Sequence, residues 1–515
     1  MRIFDTYVQK LKYKVLTELA RQTWVGNDAF SVFNDIANQV VKKGEPTMSC
    51  CIYKDRAIVA ERIRIALGGK KEDHNVIQVI DIACDECPVA GHVVTDLCRG
   101  CVAHACVDAC TLGAITVDSH QKAEIDKSKC VECGKCAKSC PYSAIANFKR
   151  PCERACKVDA ISMAPDGVAQ IDSEKCIECG ACVYKCPFGA TLDVSSITDI
   201  IKTIVDSDNN KNYHVHAIVA PAIAGQFQYA KAGQLISAIR ELGFYAVEEV
   251  ALGADIVAYK EAQELQEKGF LTSSCCPAFV KYIKMKFPQL AEHISHNLSP
   301  MAETGKLIKE QDPDAKIVFI GPCTAKKGEV RKPEVHQYVD YVMTFEELQA
   351  MIDSKDIAVD QLPETELDTA TYYGRVFART GGLSEAVTEA VREQKAAAEA
   401  AKVDAPDGAG ASGAVASGEA GASGKPANGD GACDGDSADS KPFVFDPIVC
   451  DGIDSCKTAL LRASKGLLPN NFIEGMVCTD GCIGGAACLS HGNADKRAID
   501  NYGKKASHKE IRDVL

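Results

Sequence analysis

The sequence predicts an α/β protein: a large domain with parallel sheets and flanking helices, preceded by small cysteine-rich α+β modules and a helical N-terminal segment. Three observations predict it. In the C-terminal half, apolar strand-like runs ("YHVHAIVAPAIAG", "DAKIVFIGPC", "FIEGMVC") alternate with helical stretches such as "KAGQLISAIRELG" and "IVAYKEAQELQEKG". Further upstream, "KCVECGKCAKSCPYSAI" (129–145) is nearly repeated as "KCIECGACVYKCPFGA" (175–190), beside short strand-like pieces such as "GAITVD" and "VAQID". Finally, "TYVQKLKYKVLTELARQ" and "RAIVAERIRIAL" carry apolar residues at helical spacing near the start.

Composition bounds what such a chain does. A length of 515 residues implies several domains, and 46% hydrophobic residues suffice for a large interior. A net charge of −13 lacks the basic footprint of a general nucleic-acid binder. The opening "MRIFDTYVQKLKYKVL" has no apolar signal-peptide core, and no run of roughly 18 apolar residues would span a bilayer. The expectation is a soluble, cytoplasmic protein with no membrane partner. Its 27 cysteines then indicate metal or redox chemistry, because thiols stay reduced in that compartment.

The boundaries follow from changes in character. Residues 1–80 form the helical region, with Cys50 and Cys51 read as buried or idle thiols between its helices. Two cysteine-dense modules span 81–150 and 151–200. The α/β domain occupies 212–395 and 443–515. Between its two parts, 396–442 is rich in Ala, Gly, Ser and Asp and has no aromatic residue, Leu or Ile before its flanks. Such a stretch buries too little surface to offset its ordering entropy and is expected to be a disordered insertion, with Cys433 an exposed thiol.

Cys130, Cys133, Cys136 and Cys140 follow C-x2-C-x2-C-x3-C-P, repeated at Cys176, Cys179, Cys182 and Cys186. Three thiolates at this spacing wrap one face of an iron–sulfur cube, and the fourth reaches a neighbouring cube. Zinc also uses CxxC pairs, but the closely packed third and fourth cysteines argue against it. Upstream, "CRGCVAHACVDACTLGAI" resembles the first half of a bacterial two-cluster ferredoxin, with a lengthened second spacing and Thr111 in place of proline. Crossing the fourth ligands gives Cys98, Cys101, Cys106 and Cys140 for one cube, and Cys130, Cys133, Cys136 and Cys110 for another. His104, within the lengthened spacing, reads as a surface or hydrogen-bonding residue. "RPCERACKVDAI" supplies half of a motif: Cys156 joins Cys176, Cys179 and Cys182, while Cys152 and Cys186 need two more thiolates. "CDECP" offers Cys84 and Cys87. Four accessory 4Fe–4S clusters are therefore expected.

Three further motifs, "SCCP", "PCTAK" and "CTDGCIGG", occur in the order that resembles the catalytic H-domain of FeFe hydrogenases, over residues from about 212 to 515 apart from the insertion. The resemblance implies that Cys276, Cys323, Cys478 and Cys482 hold a fifth cube. Cys482 would bridge it to a diiron subsite with CO, cyanide and a bridging dithiolate, the whole forming an H-cluster. Lys326 would pair with an iron-bound cyanide. Ala220, Pro221, Ser299, Pro300, Phe377 and Met476 match pocket-lining positions that the residues alone would mark simply as core. Cys275 matches the proton-delivering thiol. Glu261 and Glu264 share a helix face at i,i+3; together with Ser295 they match the proton relay.

The implied activity is interconversion of H2 with protons and electrons, with ferredoxin as electron carrier and dedicated maturation proteins as partners. Phe279, Gly321, Met301 and "GGAACLSHG" depart from the family's usual residues and suggest a less studied branch. The rival readings are a non-catalytic hydrogenase-like iron–sulfur assembly protein, a hydrogen sensor and a subunit of an electron-bifurcating complex.

Overall fold

The computed structural model describes residues 4–27, 31–44, 51–70, 73–85, 87, 91–403 and 443–515. Cys50, Cys433 and residues 404–442 of the expected insertion lie outside these. Residues 396–403 are helical: the Ala-rich "AAEAAKV" extends the Gly382–Val403 helix, as its high helix propensity favours.

Three helices, Tyr7–Trp24, Phe33–Val40 and Ile52–Ala66, form the N-terminal region. A capping box starts the first: the Thr6 hydroxyl accepts from the Gln9 amide at 3.1 Å, and the Gln9 side chain accepts from the Thr6 amide at 3.1 Å. Its Val15, Leu16 and Leu19 join a core shared with Ile197, Ile201, Phe345 and Leu348 of the rest of the chain. This helix is therefore packed into the C-terminal half.

The cysteine-rich part contains β1 (Ile77–Val79), β2 (Gly91–Val94), β3 (Ile115–Val117), β4 (Ala123–Ile125), β5 (Ile145–Phe148), β6 (Ile161–Met163), β7 (Ala169–Ile171) and β8 (Thr191–Asp193). The antiparallel pairs are β2 with β5 and β3 with β4, then β1 with β8 and β6 with β7. One α+β module thus lies wholly within 91–148. The other is split around it, taking its first strand from before the first module and the remainder from after it. The pairing departs from a division at residues 80 and 150: β1 belongs with 151–193 because it pairs with β8, and Cys84 at the end of the Asp81–Cys84 turn packs with Cys152 and Ala169.

The C-terminal half holds β9 (Val215–Val219), β10 (Ala246–Glu249), β11 (Leu271–Thr272), β12 (Lys316–Gly321), β13 (Tyr341–Thr344), β14 (Pro447–Asp451) and β15 (Phe472–Met476). Two parallel sheets form, ordered β10-β9-β12-β13 and β11-β15-β14. β9 and β15 are buried at every residue, as expected of strands covered on both faces. Ala220, Cys275, Cys323 and Cys478 follow the carboxyl ends of β9, β11, β12 and β15, where open α/β sheets gather their ligands. Among the described residues, no helix is long and apolar enough to cross a membrane.

Candidate active site

The strand-end loops converge on a cavity of roughly 100 Å³. Cys276, Cys323, Cys478 and Cys482 line it, together with Cys275, Lys326, Ala220, Pro221, Pro300, Phe377 and Met476. Four soft sulfur donors in an otherwise apolar wall are a donor set that suits an iron–sulfur cluster. Burial pushes the thiols of Cys323 and Cys482 up to about 11 and about 12, and their neighbouring cysteines add to this. Four thiolates held together therefore call for a compensating cation, and the residues present fit the cluster.

Of the departures from the family pattern, Met301 and Ala486 line the cavity directly. Phe279 lies behind it, fully buried, its ring against the backbone of Gly475 so closely that any Cβ there would collide. Gly321 likewise leaves space taken by the Phe319 ring and Ala220. Ser299 is buried at the start of the Pro300–Gln311 helix, with its hydroxyl unpartnered, and is not among the lining residues.

Lys326 is buried in the cavity wall. Its ammonium pairs with Glu329 at 2.6 Å and donates to the Cys275 carbonyl at 3.3 Å. Burial opposes that charge, but the Glu329 carboxylate outweighs it and raises the Lys326 pKa. Sequence reading missed Glu329, although its i,i+3 spacing from Lys326 was a usable signal.

A polar series runs from the cavity outward. Burial, then the Glu261 carboxylate, hold the Cys275 thiol well above its ordinary pKa. Glu261 is fully buried on the Val250–Lys268 helix; its Oε1 accepts from the Ser274 amide at 3.3 Å, and its Oε2 has no partner. Burial pushes it up to about 7, against the Ser274 amide and the Ser295 hydroxyl, which favour its charged form. The Ser295 hydroxyl donates to Glu264 at 3.2 Å. Glu264 pairs with Lys268 at 2.6 Å and accepts from the backbone of His296, whose side chain is 73% exposed. Cys275, Glu261, Ser295 and Glu264 thereby stand near one another between the cavity and the surface.

The accessory cysteines also assemble. A cavity in the 91–148 module is lined by Cys110, Cys130, Cys133 and Cys136, the crossed set. Cys106 lies near Cys140 and Cys101, whose charges add to the effect of burial in raising its pKa. In the split module, burial pushes Cys152 up to about 11, with Cys186, Cys84 and Cys87 contributing. Cys179, pushed up to about 12 chiefly by burial, is close to Cys176, Cys156 and, across the domain junction, Cys323. It also lines the main cavity. Cys182 sits in the core of its module, and Cys98, half-buried, packs against the core of the other. His104 adopts a left-handed conformation at φ 40°, ahead of the Ala105–Asp108 turn.

Other groups were not singled out by the sequence. Glu474 on β15 accepts from the Gly381 and Ser384 amides and the Ser384 hydroxyl, fixing the start of the long helix behind Phe377. Cys450, Cys456 and Cys488 are buried thiols; Cys456 donates to the Met476 carbonyl at 3.5 Å and Cys488 to that of Ile483 at 3.2 Å. Cys51 is exposed, not buried.

Comparison with known proteins agrees with this architecture. Fold and site define an iron–sulfur protein: residues 97–144 and 150–190 match the 4Fe-4S dicluster domain. Residues 213–486 match the iron only hydrogenase large subunit, C-terminal domain, and the chain belongs to that family. It is 30% identical to iron hydrogenase 1 of Clostridium pasteurianum over 319 residues, 56% of this chain and 54% of that one. The chain thus spans about half the length of this relative. It is also 37% identical to a cytosolic Fe-S cluster assembly factor of Kluyveromyces lactis, over 95 residues covering 18% and 20% of the two chains. A solved FeFe-hydrogenase of Chlamydomonas reinhardtii gives a TM-score of 0.45 at 18% identity, over 62% of this chain and 92% of that one.

Proposed function

We propose that this chain is an FeFe hydrogenase that interconverts H2 with protons and electrons. The observation that carries the reading is a four-cysteine cavity that residues of two relays both reach. On one side stands Cys179 of the iron–sulfur module, and on the other the series Cys275, Glu261, Ser295 and Glu264 leads to the surface.

Cys276, Cys323, Cys478 and Cys482 would hold the active-site cube, and Cys482 would also hold the diiron subsite with its CO, cyanide and dithiolate. When bound, that group supplies the redox-active irons at which dihydrogen is made or cleaved. The chain's own residues supply the remainder. Lys326 has three N–H donors; Glu329 and the Cys275 carbonyl engage it and leave donor capacity for an anionic ligand such as cyanide. Ala220, Pro221, Phe377 and Met476 exclude water, with Ser299 and Pro300 shaping the neighbouring turn. Cys275 carries the proton at its sulfur. Glu261, poised near neutrality, suits both taking up and releasing it. Ser295 and Glu264 pass it on to solvent.

Electrons would move through the four accessory clusters. The exposed Cys133 in the outer module marks a point where a ferredoxin-class carrier would approach. Maturation proteins would deliver the diiron group, and a reducing cytoplasm would suit it.

The test is anaerobic maturation followed by hydrogen production from a reduced viologen dye, with infrared detection of CO and cyanide. Turnover with both sets of bands supports the reading. The likeness to a cluster assembly factor favours one second reading, a non-catalytic iron–sulfur protein. Full cube content with neither infrared bands nor hydrogen would establish that alternative.

A further inference from the structure

At the opposite end of β9 from Ala220 lies a cluster unrelated to the iron–sulfur sites. His214 precedes β9 and His216 lies within it, two residues apart and so on one face of the extended chain. Asp312, the residue after the Pro300–Gln311 helix, faces both rings: its Oδ2 lies 2.7 Å from His214 Nδ1 and 3.9 Å from His216 Nε2. One ligand atom from each of the three residues falls within 4.8 Å of the other two. His216 is only 7% exposed, yet its Nε2 has no hydrogen-bond partner.

We infer that His214, His216 and Asp312 form a site for a divalent cation of the zinc class, with Glu248 holding His216 in its ligating form. Two imidazoles and a carboxylate are a zinc donor set with room for solvent in the open position. The second shell supports the assignment. His216 Nδ1 lies 2.8 Å from Glu248 Oε1, so a proton on Nδ1 leaves the Nε2 lone pair directed at the site. This is the carboxylate–histidine arrangement that orients a metal-bound imidazole. Tyr245 stacks on the His214 ring at 3.8 Å and limits its rotation.

The present spacing is uneven, with Asp312 Oδ2 2.7 Å from His214 Nδ1 and 3.9 Å from His216 Nε2. Donors on a tetrahedral zinc stand about 3.4 Å apart for bonds of about 2.1 Å. His214 and Asp312 have side chains 39% and 29% exposed, so both have room to shift, parting from each other to admit the ion while the carboxylate turns toward His216. A bound cation would fasten the near ends of two elements whose far ends, Ala220–Pro221 and Pro300, form the cavity wall. The site does not depend on the hydrogenase reading.

The experiment uses cluster-loaded protein, dialysed anaerobically against a mild chelator and then equilibrated with zinc chloride. Zinc and iron are counted together by mass spectrometry, and the unfolding temperature is followed with and without zinc. Wild type should retain one more zinc than His214→Ala/His216→Ala at equal iron, and zinc should raise the unfolding temperature of wild type alone. Glu248→Gln should weaken zinc binding about 10–100-fold. His214→Asn and Asp312→Asn, at partly exposed positions, serve if the double variant does not fold; each should weaken binding at least about tenfold. Equal zinc content and affinity in wild type and these variants, at unchanged iron, would overturn the assignment and leave a simple histidine–aspartate ion pair.

Discussion

Lys327 and Asp193 meet at 2.7 Å, both almost wholly buried, where the split iron–sulfur module joins the C-terminal half. Asp193 ends β8, and Lys327 follows the cavity residue Lys326. Lys12 of the first helix approaches the same carboxylate at 2.5 Å, while Glu346 and Glu347 complete the network. Burial alone would raise the Asp193 pKa, but the two ammonium groups hold it well below the usual carboxylate range. The stability this contributes is present above the unfolded carboxylate pKa near 4 and is lost as pH falls through the folded value. Asp193→Ala removes the shared partner of two buried lysines and should cost about 3–5 kcal/mol at neutral pH. Anaerobic denaturant titration measures it; a change within about 0.5 kcal/mol would remove the network from any stabilising role.

Adjacent cysteines should separate cleanly. Cys276→Ala should lose or weaken the active-site cube. Cys275→Ala should keep the cube and the CO and cyanide infrared bands while turnover falls about 10²–10⁴-fold, the usual contribution of an acid–base group. Cys275→Asp should restore part of the rate, since a carboxyl also carries a proton. Near-normal hydrogen evolution by Cys275→Ala with its cofactor intact would rule out the route through Glu261.

Iron content tests the relay. Four accessory cubes, the active-site cube and two further irons require about 22 irons per chain at four per cube. Converting both Cys84 and Cys87 to Ser should remove one accessory signal from the electron paramagnetic resonance spectrum and about four irons. If the variant keeps every cluster signal, those two thiols are not ligands.

Glu261 makes stability depend on pH. Its carboxyl is raised by burial to about 7 from the usual value near 4.5. The neutral form therefore stabilises the fold fully below about pH 4.5, and that contribution disappears as pH rises through 7. Glu261→Gln is neutral at every pH and should gain on the order of 3 kcal/mol over wild type above pH 7, relative to the difference at pH 4. Its hydrogen turnover should fall. Parallel unfolding curves for the two proteins from pH 4 to 8 would show that Glu261 titrates normally.

What could be read in advance depended on how local each signal was. Cys130, Cys133 and Cys136 lie on one short loop, so spacing alone indicates their shared cavity. The parallel sheets follow from apolar runs such as Lys316–Gly321, buried on both faces. Convergence of Cys276, Cys323 and Cys478 is not local, and it was legible only through strand-end position joined to a family resemblance. Pairing of Ile77–Val79 with Thr191–Asp193 left no periodic trace, because three-residue strands separated by more than a hundred residues carry almost no pattern. The cluster of His214, His216 and Asp312 escaped for the same reason: its third member comes from a distant helix end. The helix end at Val403 was hidden by composition, since alanine and glutamate suit both a helix and a solvated spacer.

Threading one iron–sulfur module between the two arms of the other has a consequence for biosynthesis. As the ribosome extrudes the chain, the arm carrying Cys84 and Cys87 emerges first yet waits for β8, more than a hundred residues later, before its strand can pair. The 91–148 module has its own eight cysteines complete at Cys140 and its closing strand by Phe148. It is thus ready to take up iron while its host is still half-made. The module whose cysteines do not line the main cavity is then the first that can take up iron, and the relay is completed inward, in the same order in which electrons from a carrier would later travel it.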